Sequence, residues 1–139
     1  MRRAYVTSSV RRRLHQTAFS ARILKAYREE CALCRLRHRE LLDVAHIIED
    51  SEAEGEPIVS NGLALCKLHH AVFDRFILGV TPDYIIEVRT DILEEIDGPM
   101  LQHGLQGMHH QRILLARSSE CHPDRDRLAL RYERFRQAG

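Results

Sequence analysis

NGLALCKLHHAVFD, residues 61–74, decides the fold. Cys66 lies three residues before His69, and His70 follows directly. A Cys-x-x-His pair can turn both side chains onto one metal ion. Neighbouring side chains on a helix point about 100° apart, so the second histidine needs a different job. Around these residues the pattern reads as turn, strand and helix. Asn61-Gly62 is a turn signal, Leu63–Leu65 a short strand, and Lys67–Ile77 a helix.

Working outward, Cys31-x-x-Cys34 supplies a second half-site, 31 residues before the first. Two such pairs give the four soft ligands of a closed tetrahedral zinc site: Cys31, Cys34, Cys66 and His69. Disulfides are the poorer reading, since MRRAYVTSSVRRRLHQ has no apolar stretch behind its charges and is no secretory signal. Cys121 and His122 fall outside the pattern and read as a loop thiol and its neighbour. Between the half-sites, ELLDVAHII (40–48) is a strand with Leu42, Val44 and His46 on one face. EDSEAEGEPIVS (49–60) is an acidic loop.

The flanks are simpler. Residues 9–30 read as one amphipathic helix on Val10, Leu14, Ala18, Ala21 and Leu24, widened by Phe19, Ile23 and Tyr27, with Ser8 or Ser9 as its cap. TPDYIIEV (81–88) reads as a strand begun by Pro82, residues 98–110 as a Gly- and His-rich ordered loop. Pro123 opens a last helix carrying Leu128, Tyr132 and Phe135. The 139 residues fit one domain, with a basic helical arm over about 9–30, a core over about 31–78 and a C-terminal extension over about 79–137. No run of about 18 apolar residues exists, which argues against a membrane span and for a cytoplasmic location.

The net charge of +1 conceals an asymmetry: residues 1–39 carry +9, residues 40–99 carry −11 and residues 100–139 carry +3. A basic arm beside an acidic centre suits a phosphate-binding protein with a cation site; a solvated arginine-rich helix is the plainer account. Arg11, Arg12, Arg13 and Arg22, with the C-terminal arginines, are the expected phosphate contacts.

A second constellation stands beside the zinc-type cluster. His46 ends the first strand, Asn61 precedes the second, and Asp74 lies four residues after His70 on the same helix face. Alone, His46 reads as a core histidine, Asn61-Gly62 as a turn, and Asp74 as a partner for Arg75 or an arginine of the first helix. In their order, Cys-x-x-Cys, Ala45-His46-Ile47-Ile48, Asn61-Gly62-Leu63 and Leu65-Cys66-x-x-His69-His70 resemble the HNH endonuclease family. Phe73-Asp74-Arg75 and the tail motifs GPMLQHGLQG and RYERF extend the resemblance over about residues 10–137. The branch is that of bacterial restriction endonucleases cutting modified DNA, phosphorothioated DNA among them.

The resemblance implies an α+β fold: a zinc-stapled ββα-metal module with an N-terminal helix and a C-terminal strand and helix extension. It implies hydrolysis of DNA with His46 as general base and His70 as ligand of a catalytic Mg²⁺ or Mn²⁺. Asn61 either binds that cation or holds the loop and the base in place. A neutral histidine suits proton abstraction near pH 7, and a divalent cation offsets charge on the reacting phosphate. Many HNH enzymes carry Asp directly before the base histidine, where this chain has Ala45. Asp74 is the expected substitute; Asp43, two residues from Ala45, is judged too far. One site per chain implies a homodimer for a double-strand cut, and recognition of a modified site falls to a separate domain. The rival is a non-catalytic zinc module binding nucleic acid or protein; nicking or RNA cleavage are further variants.

Overall fold

The computed structural model describes residues 2–139; the side chains of residues 2–9, Arg12 and His15 lie outside it. The fold is α+β. A long helix α1 (Arg2–Ala26) leads into an antiparallel hairpin of β1 (Leu42–His46) and β2 (Gly62–Cys66), followed directly by helix α2 (Lys67–Asp74). A second antiparallel hairpin, β3 (Leu78–Val80) with β4 (Ile86–Val88), a short helix α3 (Thr90–Leu93) and the C-terminal helix α4 (Arg125–Ala138) complete it. No helix among the described residues is long and apolar enough to cross a membrane.

α1 ends where Arg28 and Glu29 both adopt left-handed backbone (φ 56° and 55°). The amide of Glu29 bonds back to the carbonyl of Leu24, and the chain turns into Cys31. Helix α1 buries Phe19, Ile23 and Tyr27, a single stripe at spacing four. The wider stripe expected from sequence is corrected here. Val10 and Leu14 are exposed, as are Ala18 and Ala21, because only the C-terminal half of α1 lies on the hairpin.

Gly62 explains how closely it lies. It is not a turn residue but the first residue of β2, in extended backbone (φ −144°). A Cβ there would stand 2.7 Å from Ile23 Cδ1 and 2.9 Å from Phe19 Cζ. The glycine is required by the approach of α1, not by a bend. The second hairpin also departs from expectation. The stretch 81–84 is its turn, closed by the Tyr84 amide on the Thr81 carbonyl, and Tyr84 sits at φ 68°. The loop read over 98–110 contains a wide helical turn (Met100–Leu105) and a 3₁₀ turn (Gln106–Met108). α4 starts as expected after Pro123, with the Asp124 side chain accepting from the Arg127 amide.

The hairpin β1–β2 lies between α1 and α2, and strand alternation sorts its side chains between them. His46 meets Phe19 of α1, whereas Asp43 meets His70 of α2. The register pairs Leu42 with Cys66, Asp43 with Leu65 and His46 with Gly62.

Candidate functional site

The four predicted zinc ligands come together. Cys31, Cys34, Cys66 and His69 place their ligand atoms within 4.8 Å of one another. The Cys31–Cys34 turn is fixed by the Cys31 amide on the Leu36 carbonyl and the Arg35 amide on the Cys31 carbonyl. It is joined to β2 through the Ala32 amide and the Ala64 carbonyl, 2.7 Å apart. Cys66 also caps α2, accepting from the His69 amide. His69 Nδ1 lies 3.3 Å from Cys66 Sγ and 3.6 Å from Cys31 Sγ, while Nε2 lies 2.7 Å from the Gly104 carbonyl oxygen. A carbonyl only accepts, so Nε2 carries a proton and Nδ1 faces the sulfurs.

Burial pulls His69 down, but Cys31, Cys66 and the Gly104 carbonyl outweigh it and push it up to about 10. Hydrogen bonds from Cys34 and then Cys66 hold the Cys31 thiol below its usual range, and the bond with Cys31 pushes Cys34 up. Thiols crowded with one imidazole and competing for protons form a set that wants a cation. The donor chemistry fits zinc, and this cluster could hold it. Gly104 belongs to the GPMLQHGLQG motif, but its role is not legible there because a backbone carbonyl leaves no residue signature. Cys121 does not join the cluster.

One residue on, the side chain leaves the cluster. His70 is bracketed by two carboxylates, with Nδ1 2.9 Å from Asp43 Oδ2 and Nε2 3.1 Å from Asp74 Oδ2. Ionised carboxylates only accept, and a neutral imidazole has one N–H, so it can satisfy one of them. The other contact calls for a second proton or a shared cation. Lys67 also binds Asp43. Burial raises the Asp43 carboxyl, but His70 and Lys67 outweigh it, and Asp43 ionises below its usual range. The sequence argument judged Asp43 too far. It reaches His70 because α2 begins immediately after β2, so its first turns fold back over the residue paired with Leu65.

Asn61 is fully buried. Its Oδ1 accepts from the Ile48 amide at 2.9 Å, and its Nδ2 donates to the carbonyls of Ile48 and Glu56, each at 3.0 Å. The amide group is therefore engaged by the backbone on either side of the acidic loop, the loop-holding one of its two expected roles.

His46 is half-buried and stacked on Phe19, ring centroids 4.7 Å apart and planes at 26°. Its Nε2 is buried with no hydrogen-bond partner among the described residues. No hydrogen bond among the described residues joins His46 to His70, Asp74 or Asn61 side chains.

Arg131 opens the RYERF motif, to which the sequence assigns no role of its own. It sits on α4, 6% exposed, with its guanidinium over the Phe73 ring (3.9 Å) and near that of Phe76 (4.9 Å). Nη1 donates to the Ile47 carbonyl at 3.0 Å and Nη2 to the Phe73 carbonyl at 2.8 Å. Asp74 Oδ1 is 3.9 Å away. Burial lowers its pKa, opposed first by the charge of Asp74. The expectation that the C-terminal arginines meet phosphates is corrected for three of them. Arg131 is internal, Arg134 makes a two-pronged pair with Glu52 (2.6 and 3.0 Å), and Arg127 donates to the Glu54 carbonyl at 2.7 Å. Of the basic arm, Arg11 and Arg13 are exposed; Arg12 lies outside the described side chains. Arg22 is exposed and donates to the Pro57 carbonyl at 3.1 Å.

A two-stranded hairpin is followed at once by a helix, with a Cys₃His cluster at their junction, a ββα arrangement. Residues 31–81 match the HNH endonuclease family. Among solved structures the chain is similar to a modification-dependent TagI restriction endonuclease, with a TM-score of 0.58 and 17% identity over 84% of this chain. The match spans 37% of that chain's length. No curated protein matches.

Proposed function

We propose that this chain is a DNA-cleaving module that hydrolyses phosphodiester bonds with His46 as general base and a divalent cation held at His70. The observation that carries the reading is the His70 ring bracketed by Asp43 and Asp74, one residue after the zinc-type cluster. The two carboxylates stand at different ring nitrogens, so a cation at His70 would be shared with either Asp43 or Asp74, and an imidazole–carboxylate pair completed by water and phosphate oxygens suits Mg²⁺ or Mn²⁺. The cation, when bound, would offset negative charge on the reacting phosphate and the leaving oxygen.

His46 accepts a proton from the attacking water. The place of His46 at the end of β1 supports this; its Nε2 is buried and unpartnered among the described residues, so the ring nitrogen left for the water is Nδ1. Phe19 fixes the plane of the ring and Asn61 fixes the loop that follows it. His69, with Cys31, Cys34 and Cys66, is the structural staple. Arg11, Arg12 and Arg13 contact phosphates without reading bases. Recognition of modified DNA belongs to another domain or chain, and a double-strand cut uses two copies of this one. The span of the restriction-enzyme match, 37% of that chain, supports a cleavage part within a larger system.

The test is cleavage of modified and unmodified plasmid by the parent and by His46→Ala, with Mg²⁺, Mn²⁺ or EDTA. The parent should cut with either cation and not with EDTA. His46→Ala should lose about 10²–10⁴ in rate while keeping its DNA affinity, because a base acts on the transition state. Equal cleavage by both proteins refutes the mechanism and leaves a binding module.

A further inference from the structure

We infer that Arg131 is a positioning residue of the nuclease site: it ties the end of β1, directly after His46, to the end of α2, directly before Asp74. The inference rests on the function proposed above. His46 stacks on Phe19 of α1 and His70 bonds Asp43, and no hydrogen bond among the described residues joins the two histidines. Something must set the distance between a base and a cation site that belong to different elements. One guanidinium reaches both. Its Nη1 holds the carbonyl of Ile47 at 3.0 Å, and its Nη2 holds the carbonyl of Phe73 at 2.8 Å.

The chemistry of the contact is specific to arginine. A planar fork can donate in two directions from one rigid group, and its face stacks on an aromatic ring. Here that ring is Phe73, 3.9 Å from the guanidinium carbon. A lysine ammonium is a point donor on a flexible stem and cannot keep both carbonyls and the stacking together. The positive charge also lies at the C-terminal end of α2 and stands 3.9 Å from Asp74 Oδ1. Arg131 is too buried to touch DNA, so its effect is on the spacing of the groups that do. Residue 131 lies outside the stretch 31–81 that matches the family, so α4 would be part of the working site and not only a flank.

The test uses the full chain carrying Arg131→Lys and Arg131→Ala, checked for melting and zinc content. Single-turnover cleavage at saturating DNA and Mn²⁺ should fall about 10- to 100-fold in the folded Arg131→Lys protein, the scale of a misplacement near 1 Å. DNA affinity should stay within about twofold, since a buried group makes no ground-state contact. Guanidinium ion at millimolar concentration should restore part of the rate to Arg131→Ala and none to Arg131→Lys, whose side chain fills the space. A second readout does not need activity. The imidazole NMR signals of His46 and His70 should both shift in Arg131→Lys, while that of His122, which is bonded to the Ala116 carbonyl, stays in place. A folded Arg131→Lys protein that cleaves at the parental rate overturns the inference. If the parent proves not to be a nuclease, unshifted His46 and His70 signals overturn it, and joint shifts support the tie alone. Failure of both variants to fold also overturns it, because Arg131 would then be a core residue first.

Discussion

Gly62→Ala tests the closest contact around the proposed base. The added Cβ would stand 2.7 Å from Ile23 Cδ1 and 2.9 Å from Phe19 Cζ, both inside van der Waals contact. Both of those side chains are fully buried, so they can move only by displacing α1 from the hairpin or leaving their rotamers. Overpacking of this kind costs about 1–3 kcal/mol. Against it, alanine in a strand is preferred to glycine by about 0.5–1 kcal/mol. The net is a loss of up to about 2.5 kcal/mol. With an unfolding entropy near 2.1 cal/mol/K per residue, about 0.3 kcal/mol/K for this chain, the melting temperature should drop by up to about 8 °C. Calorimetry of the zinc-loaded protein measures it, with Gly98→Ala as control, since a Cβ at Gly98 meets nothing within 4 Å. Cleavage should fall too, because Phe19 holds the plane of His46. A Gly62→Ala protein that melts at or above the parent would refute the packing of α1 described here.

Three further outcomes are expected. His69→Ala should release zinc and lower the melting temperature, because structural zinc contributes to folding outright, whereas His70→Ala should keep zinc and lose cleavage, with partial return at high Mn²⁺; metal analysis, melting and cleavage decide, and equal zinc loss from both would refute the division between neighbours. Replacing Arg11, Arg12 and Arg13 with Ala should weaken binding to all DNA sequences alike and reduce the salt slope by up to about three phosphate contacts' worth; loss confined to one sequence would mean base readout instead. Arg134 holds the Glu52 carboxyl below its usual range, so the pairing contributes above the unfolded pKa near 4.3 and is lost as pH falls through the lower folded value; amide exchange in loop 49–56 should therefore differ between the parent and Glu52→Gln at pH 7 and converge in strong acid, and equal exchange at pH 7 would show that the pair does not hold the loop.

The cluster was legible because its signal lies in spacing. Two half-sites with two-residue spacers leave few other arrangements, and the hairpin-then-helix order follows from the turn signals between them. The separation of His69 from His70 was legible for the same reason, through the 100° step of a helix. What escaped is long-range or carried by backbone. Asp43 was discounted along the strand, yet its contact runs across to α2. Arg131 opens the RYERF motif, but a motif does not say which of its two arginines turns inward. The apolar stripe of α1 was drawn too wide because periodicity reports which residues can be buried, not how far along the helix a partner extends. Gly62 looked like a turn residue since a glycine after asparagine usually is one; only the close approach of Phe19 and Ile23 reveals its reason.

The charge asymmetry acquires a double explanation from these contacts. Much of the acidic loop 49–56 is held from outside by the basic flanks: Gln16 on Asp50, Arg22 on the Pro57 carbonyl beside it, Arg134 on Glu52 and Arg127 on the Glu54 carbonyl. α1 and α4 therefore clamp, from two sides, the loop whose ends Asn61 joins. The loop begins directly after Ile47 and Ile48, the residues that follow His46. Opposite charge in the flanks thus serves to fix the strand end carrying the proposed base. Two exposed arginines of the arm, Arg11 and Arg13, lie on the half of α1 that does not pack on the hairpin. A helix anchored at one end by Phe19, Ile23 and Tyr27 and basic at the other extends positive charge away from the site. Under the proposed function that arm would lie along a phosphate backbone, although the net charge of the chain is only +1.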